Sequence, residues 1–262
     1  MQPSVFTKSL ADHRRGLAAW AGGSALIGMM YAGFYPQIRG DAAEAMAGFP
    51  EAMREAFGMD DLASAAGYLQ SSVFGVILPV IAMIYGIVVG ARAVAGEEES
   101  GELDVVLAHP VTRIRFMAHR FGALVVGAFA IAAVVWVAML AIRGGAELTE
   151  ITPVQFLAQA FNLALLTVFF GALTAGVGAA TGRRGVAVGT AAAVGVLGYA
   201  MHTFGSQAGL DWAADISPFA FYIAGEPLRN GFQWGDAAVL AVAALVLIGL
   251  GALRFDRRDI NS

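Results

Sequence analysis

Six long stretches of this chain carry no Asp, Glu, Lys or Arg: 16–38, 62–91, 121–142, 151–182, 185–210 and 237–253. A helix needs about 20 apolar residues to cross a bilayer, and each stretch is near or above that length. Within a bilayer only helices and closed barrels satisfy all their own backbone hydrogen bonds. The alternation of a membrane barrel is absent, so the stretches predict helices. Trimmed for turns and interfacial residues, they give spans at about 17–35, 71–93, 121–142, 156–180, 186–204 and 236–253. Composition agrees: 14% of the residues are charged, against about 25% in a soluble domain. The expectation is an all-α integral membrane protein with residues 1–262 as one transmembrane domain.

Basic residues set the expected orientation, because cytoplasmic loops carry an excess of them. Lys8, Arg14 and Arg15 precede the first span. Arg92, Arg113, Arg115 and Arg120 lie between the second and third, Arg183 and Arg184 between the fourth and fifth, and Arg254, Arg257 and Arg258 after the sixth. The opposite side receives only Arg39, Arg54, Arg143 and Arg229. Both termini are therefore expected in the cytoplasm. Arg, Ala and Gly dominate the composition over Lys, which suggests a GC-rich bacterial genome and so a bacterial plasma membrane. Ala45-Met46-Ala47 has the look of a signal cleavage site, but the run before it is too long and too distant, so a retained anchor is expected. Cysteine is absent, which excludes disulfides, thiolate metal sites and a cysteine nucleophile.

Between the spans, residues 1–16 read as a leading amphipathic helix on the cytoplasmic surface, with Phe6, Leu10 and Leu17 on its apolar side. The external segment 36–70 has a helix signal: Pro50 suits a first helical position, Glu51 the positive helix end and Gly58 a stop. The segment 205–235 is aromatic and holds Pro218 and Pro227. It is too apolar for an ordinary loop and too broken for a further span. A re-entrant or interfacial helical pair is expected there.

The cytoplasmic segment 96–110 is the densest in carboxylates: Glu97, Glu98, Glu99, Glu102 and Asp104. On a helix over 97–109, Leu103, Val106 and Leu107 share one face, with Glu97, Gly101, Asp104 and Ala108 on the other. Pro110 disfavours helical geometry at His109 and ends the helix. Acids alone would merely solvate a loop. Three apolar residues on one face of an exposed loop point instead to docking in a partner's groove.

The same segment resembles the block GEEESGTLDLLLAxPVSRxR of ABC-2-type ABC transporter permeases. Gly96, Glu97, Glu98, Glu99, Ser100, Gly101, Leu103, Asp104, Leu107, Ala108, Pro110, Val111, Arg113 and Arg115 stand in its positions, while Glu102 and Thr112 depart from it. The tail Arg254-Phe255-Asp256-Arg257-Arg258-Asp259-Ile260 resembles the family's RFxRRDI. Ser217-Pro218-Phe219 and Glu226-Pro227-Leu228-Arg229-Asn230-Gly231 resemble its last external segment. The resemblance implies that 96–110 forms the coupling helix, with Glu97, Glu98, Glu99, Gly101, Leu103, Asp104, Leu107, Pro110 and Arg113 as ATPase-docking residues. It also implies two permease subunits, the same or related, and two separate ATPase subunits. The chain has no G-x-x-x-x-G-K-[ST] phosphate loop, and Lys8 is its single lysine. No cofactor is expected in this chain; ATP and Mg are expected on the partner ATPase. Membrane lipid is an expected partner and nucleic acid is not.

Polar groups inside spans mark candidate pathways. Tyr85, Asn162, Tyr199 and His202 are the candidates, with Phe74 and Phe170 as a possible apolar wall. Interfacial anchoring and helix-to-helix hydrogen bonding are the competing readings. Gly171, Ala175, Gly178, Gly185, Gly189 and Gly195 give small faces that favour close packing. The function expected is an ATP-driven exporter permease, with a membrane subunit of an ATPase-linked signalling or cell-envelope regulatory complex as the alternative. An intramembrane enzyme would need converging catalytic groups, and a proton-coupled carrier would need buried carboxylates; neither pattern is visible.

Overall fold

The computed structural model describes residues 5–46, 64–99, 112–205 and 209–257. Among them there is no strand. Six helical stretches are long and apolar enough to cross a membrane: Arg14–Asp41, Ala65–Glu99, Arg113–Ile142, Pro153–Thr181, Arg184–Phe204 and Trp234–Arg257. The six expected spans fall inside them.

Several boundaries differ from expectation, each for a local reason. Val5–Ala32 is one unbroken helix. The leading segment is thus continuous with the first span rather than a separate helix. The third span starts at Arg113, eight residues before the charge-free run, because the Thr112 side chain caps it by accepting the Arg115 N–H (3.3 Å). That helix has 30 residues, or about 45 Å at 1.5 Å per residue. The hydrocarbon core is only about 30 Å thick, so its arginine-bearing first turns extend beyond it. Thr152 and Gln155 form a reciprocal capping box at the start of the fourth span, and Gly182 in the left-handed region stops it.

The second span is interrupted. A π segment, Val73–Ile77, precedes Leu78–Ala91, and another, Arg92–Gly96, follows it and leads into Glu97–Glu99. Pro79 has no N–H to give the Gly75 carbonyl, and the helix widens there, with Leu78 N–H reaching back to Val73 O. A side chain at Gly75 would collide with the Gln70 carbonyl oxygen.

The fourth span is the hub of the fold. Of its most apolar window 83% is buried, against 17% for the fifth span. It packs against the second, third, fifth and sixth spans, and glycine allows backbones to meet there. A Cβ on Gly86 of the second span would lie 2.6 Å from Thr167 O. One on Gly176 would lie 2.6 Å from Leu247 O of the sixth. Of the expected small faces, Gly171, Gly178 and Gly195 are in close packing contact, whereas nothing approaches Gly185 or Gly189.

Where a re-entrant or interfacial helical pair is expected, the described residues after the fifth span hold three short pieces: Asp211–Asp215, the π segment Ala220–Ala224, and Pro227–Asn230. The external helix signal at Pro50, Glu51 and Gly58 lies outside the described residues. So do the tail residues from Arg258 onward.

Candidate functional site

The two ends of the bundle are chemically distinct. At one end, Arg39 pairs with Glu147 (3.1 Å), and Arg143 ties its own loop by donating to Ile151 O (2.8 Å) and Thr149 O (2.5 Å). Arg229 donates to Ser64 Oγ at 3.1 Å. At the other end lie Glu97, Glu99, Arg113, Arg120 and Arg184, which touch one another or their neighbours across four spans. Among the described residues, Arg39, Arg143 and Arg229 thus lie apart from Arg113, Arg120 and Arg184.

At the arginine-rich end, the root of the acidic segment is fastened to the chain. Glu97 forms a salt bridge with Arg120 of the third span. Glu99 accepts the backbone N–H of Arg184 (2.9 Å) and so caps the start of the fifth span. A carboxylate at that position also meets the positive end of the helix dipole. Arg113 donates to Phe255 O (2.9 Å) and lies over the Phe255 ring, joining the third span to the end of the sixth. Glu98 is half-buried beside them. Of the docking candidates, Glu97, Glu99 and Arg113 are therefore held within the chain. Gly101, Leu103, Asp104, Leu107 and Pro110 lie outside the described residues.

At the opposite end, the segment after the fifth span is stitched down onto three spans. Ser217 Oγ donates to Gly198 O of the fifth span (2.8 Å) and accepts the Phe219 N–H (3.2 Å). That double role, with the Pro218 ring packed on Gly198, is a physical reason for the Ser-Pro-Phe sequence. Asn162 of the fourth span donates to Tyr222 O (3.1 Å), and Gln70 of the second donates to Ile223 O (3.5 Å). Gln155 at the start of the fourth donates to Arg229 O (2.5 Å).

These ties border a cavity of about 320 Å³ that opens to the surface, lined by Gln70, Ser71, Gly75, Tyr199, His202, Thr203, Phe219, Tyr222 and Ile223. Tyr199 and His202 thus come together at one cavity. Tyr199 meets Phe219 edge-on at 5.3 Å, and Phe219 meets Phe170 at 5.9 Å. Burial pushes the Tyr222 phenol far above its ordinary range, so it stays neutral.

Asn162 and Tyr85 sit elsewhere. Asn162 is buried and holds the backbone of the external segment. Tyr85 lies in the bundle interior, edge-on to Trp20 at 5.7 Å. It borders a void of about 10 Å³ shared with Ser24 and Thr167. That is room for about one water. Phe74 and Phe170 are fully buried, and Phe170 backs the cavity through Phe219. Sequence reasoning missed Gln70, Gly75, Phe219 and Tyr222 as cavity residues. The signals that point to them are the Gly75-to-Pro79 spacing and Ser217-Pro218-Phe219. Among the described residues no group of three or more His, Asp or Glu is placed to hold a metal ion.

The family described as "multidrug efflux system permease Rv1217c, C-terminal domain" matches residues 5–256. No curated protein matches the chain.

Proposed function

The chain belongs to that multidrug efflux permease family, and on this footing we propose that it is the membrane subunit of an ATP-driven ABC exporter in a bacterial plasma membrane. The match agrees with the ABC-2-type resemblance of the acidic segment, the Ser-Pro-Phe motif and the tail. Both termini and the arginine-rich end face the cytoplasm, following the excess of basic residues there. A separate ATPase carries ATP and Mg and performs the hydrolysis. Two ATPase subunits serve two permease subunits, identical or related.

The observation that carries this reading is the fastening of the acidic segment. Glu98 and the helix of Leu103, Asp104 and Leu107 face the ATPase. Glu97, Glu99 and Arg113 act behind them, passing ATPase motion to the third, fifth and sixth spans. The permease is then a two-state element biased by nucleotide on its partner. The cavity holding Tyr199 and His202 lies on the transport path, near its outer end. Asn162 and Tyr85 support that path by holding the bundle around it.

The test is capture of the partner ATPase by the full-length chain. Glu98→Lys with Asp104→Lys, or Leu103→Asp alone, should reduce ATPase binding, while Glu99→Gln should leave binding intact and reduce stimulation of hydrolysis. Full binding and stimulation in all of these would remove the acidic segment from the mechanism.

A further inference from the structure

At the arginine-rich end the first three spans part around charges that do not balance. Leu17 of the first span and the Tyr85 hydroxyl of the second meet over Gly127 of the third, and Trp20 lies edge-on to Tyr85 at 5.7 Å. From there outward the facing surfaces are closed. Ala21 and Ser24 of the first span are buried, as are Phe74, Leu78 and Tyr85 of the second. Followed the other way, the same two helix faces carry Arg14 and Arg92. Arg14 stands about one turn before Leu17, and Arg92 about two turns beyond Tyr85. Both are exposed. Two faces that are buried through the bundle thus open at their arginine-rich ends. On the third span Arg120 stands about two turns before Gly127, on the face that meets Tyr85.

The carboxylates of this end are used elsewhere. Glu97 pairs with Arg120, and Glu99 accepts the Arg184 N–H. Among the described residues neither Arg14 nor Arg92 forms an ion pair. Their depth indicates which anion meets them. Measured from Ile142 at the outer end of the third span, about 30 Å of hydrocarbon ends near Gly122, at about 1.5 Å per residue. Arg120 and Arg92 therefore stand at the depth of lipid headgroups. Arg14 begins about one turn higher, and its long stem spans that distance. Above the charges runs an apolar strip. Ile84, Val88 and Arg92 follow at i, i+4 and i+8 along one edge of the second span. Ile84 is 42% exposed, Val88 is half-buried, and so is Trp20 beside Tyr85. Tryptophan is enriched at this depth of a bilayer. An acidic peptide would meet the arginines and leave the strip bare. An amphiphile with an anionic head meets both.

We propose that this crevice binds one anionic phospholipid of the cytoplasmic leaflet, with its phosphate held by Arg14 and Arg92 and an acyl chain lying along Val88, Ile84 and Trp20. The lipid neutralises both arginines and fastens the first span to the second, since within the chain the first span packs chiefly on the third. Only the choice of leaflet rests on the orientation given above.

The test titrates the full-length chain, in a neutral detergent and without ATPase, with phosphatidylglycerol, with phosphatidylcholine of the same acyl chains, and with glycerol 3-phosphate. Native mass spectrometry counts the bound lipid. Phosphatidylglycerol should bind about 25-fold more tightly than phosphatidylcholine, about fivefold for each arginine. Arg14→Gln and Arg92→Gln should each lose about fivefold for phosphatidylglycerol, and the double variant should bind the two lipids equally. Arg14→Lys with Arg92→Lys keeps both charges and should keep the preference. Arg183→Gln, at an exposed arginine before the fifth span, should match the parent. Glycerol 3-phosphate should not displace phosphatidylglycerol.

Equal affinity of the parent for the two lipids removes the site, and so does an equal loss in Arg183→Gln, which would show a diffuse response to net charge. Loss of the preference in the double lysine variant overturns charge as its basis. Displacement by glycerol 3-phosphate assigns the arginines to a soluble phosphate instead of a lipid. A preference that survives in the double glutamine variant also removes the site, and a fall in ATPase capture by that variant would give the arginines to the partner. Lipid preference and ATPase capture are separate measurements, so this inference and the permease reading fail independently.

Discussion

The salt bridge between Glu97 and Arg120 gives the sharpest energetic test of how the acidic segment is fastened. Its side chains are only 13% and 17% exposed, and the Arg120 guanidinium also lies over the Phe116 ring at 5.4 Å. Removing one partner of a fully buried pair costs about 3–5 kcal/mol, because the remaining charge is left uncompensated. Allowing for residual exposure, Glu97→Gln or Arg120→Met should each cost about 2–3 kcal/mol. The double variant removes both charges and should recover about 2 kcal/mol as coupling. Arg39 and Glu147 supply a control within the same chain, since their side chains are 53% and 55% exposed. Their coupling should stay below about 1 kcal/mol. Thermal unfolding in nanodiscs, read by tryptophan fluorescence, measures both cycles. At about 2–4 °C per kcal/mol, each inner single variant should lose on the order of 5–10 °C. Equal coupling in the two cycles, or less than about 0.5 kcal/mol at the inner pair, would refute the argument that the acidic segment is anchored through the third span.

Three further outcomes follow from close contacts elsewhere. Gly127→Ala should destabilise the chain by about 1–3 kcal/mol, since its Cβ would collide with the Tyr85 hydroxyl; adding Tyr85→Phe should return most of that loss in the same unfolding assay. Gly75→Ala should disturb the widened turn before Pro79 and lower the unfolding temperature, because its Cβ would meet the Gln70 carbonyl, whereas Gly249→Ala, whose Cβ meets nothing, should not. Thr152→Ala removes the capping box of the fourth span and should cost about 1 kcal/mol, whereas Thr149→Ala, which keeps the backbone carbonyl that Arg143 uses, should cost much less.

The spans are legible in the sequence because hydrophobicity alone decides them. A run without charge has no other stable place in a bilayer, and the six spans trimmed from those runs lie within helical stretches. Helix ends are less legible. The third span begins at Arg113 because of one threonine cap, and its charged first turns look like loop to any argument from charge. The first interruption of the second span depends on which carbonyl loses its donor to Pro79, a matter of register rather than composition. For Glu97, Glu99 and Arg113, sequence reasoning sees exposed charge beside an apolar face. Their partners, Arg120, the Arg184 N–H and Phe255 O, lie on spans that only the fold brings near. Of the four pathway candidates, Tyr199 and His202 share a helix face one turn apart and reach one cavity together. Asn162 and Tyr85 have the same chemistry, but neighbouring helices meet them first. Polarity inside a span thus signals a constraint, and packing decides whether the constraint is a site or a joint.

The central claim is that this permease moves cargo only when a separate ATPase drives it. Inside-out vesicles made with the chain alone, the ATPase alone, and both together test it directly, with uptake of N-phenyl-1-naphthylamine followed on adding ATP and Mg. ATP-dependent uptake should occur with both proteins and in neither single preparation, and Leu103→Asp should abolish it while the chain still inserts. ATP-driven uptake by the chain alone, or undiminished uptake in the Leu103→Asp variant, would contradict the account.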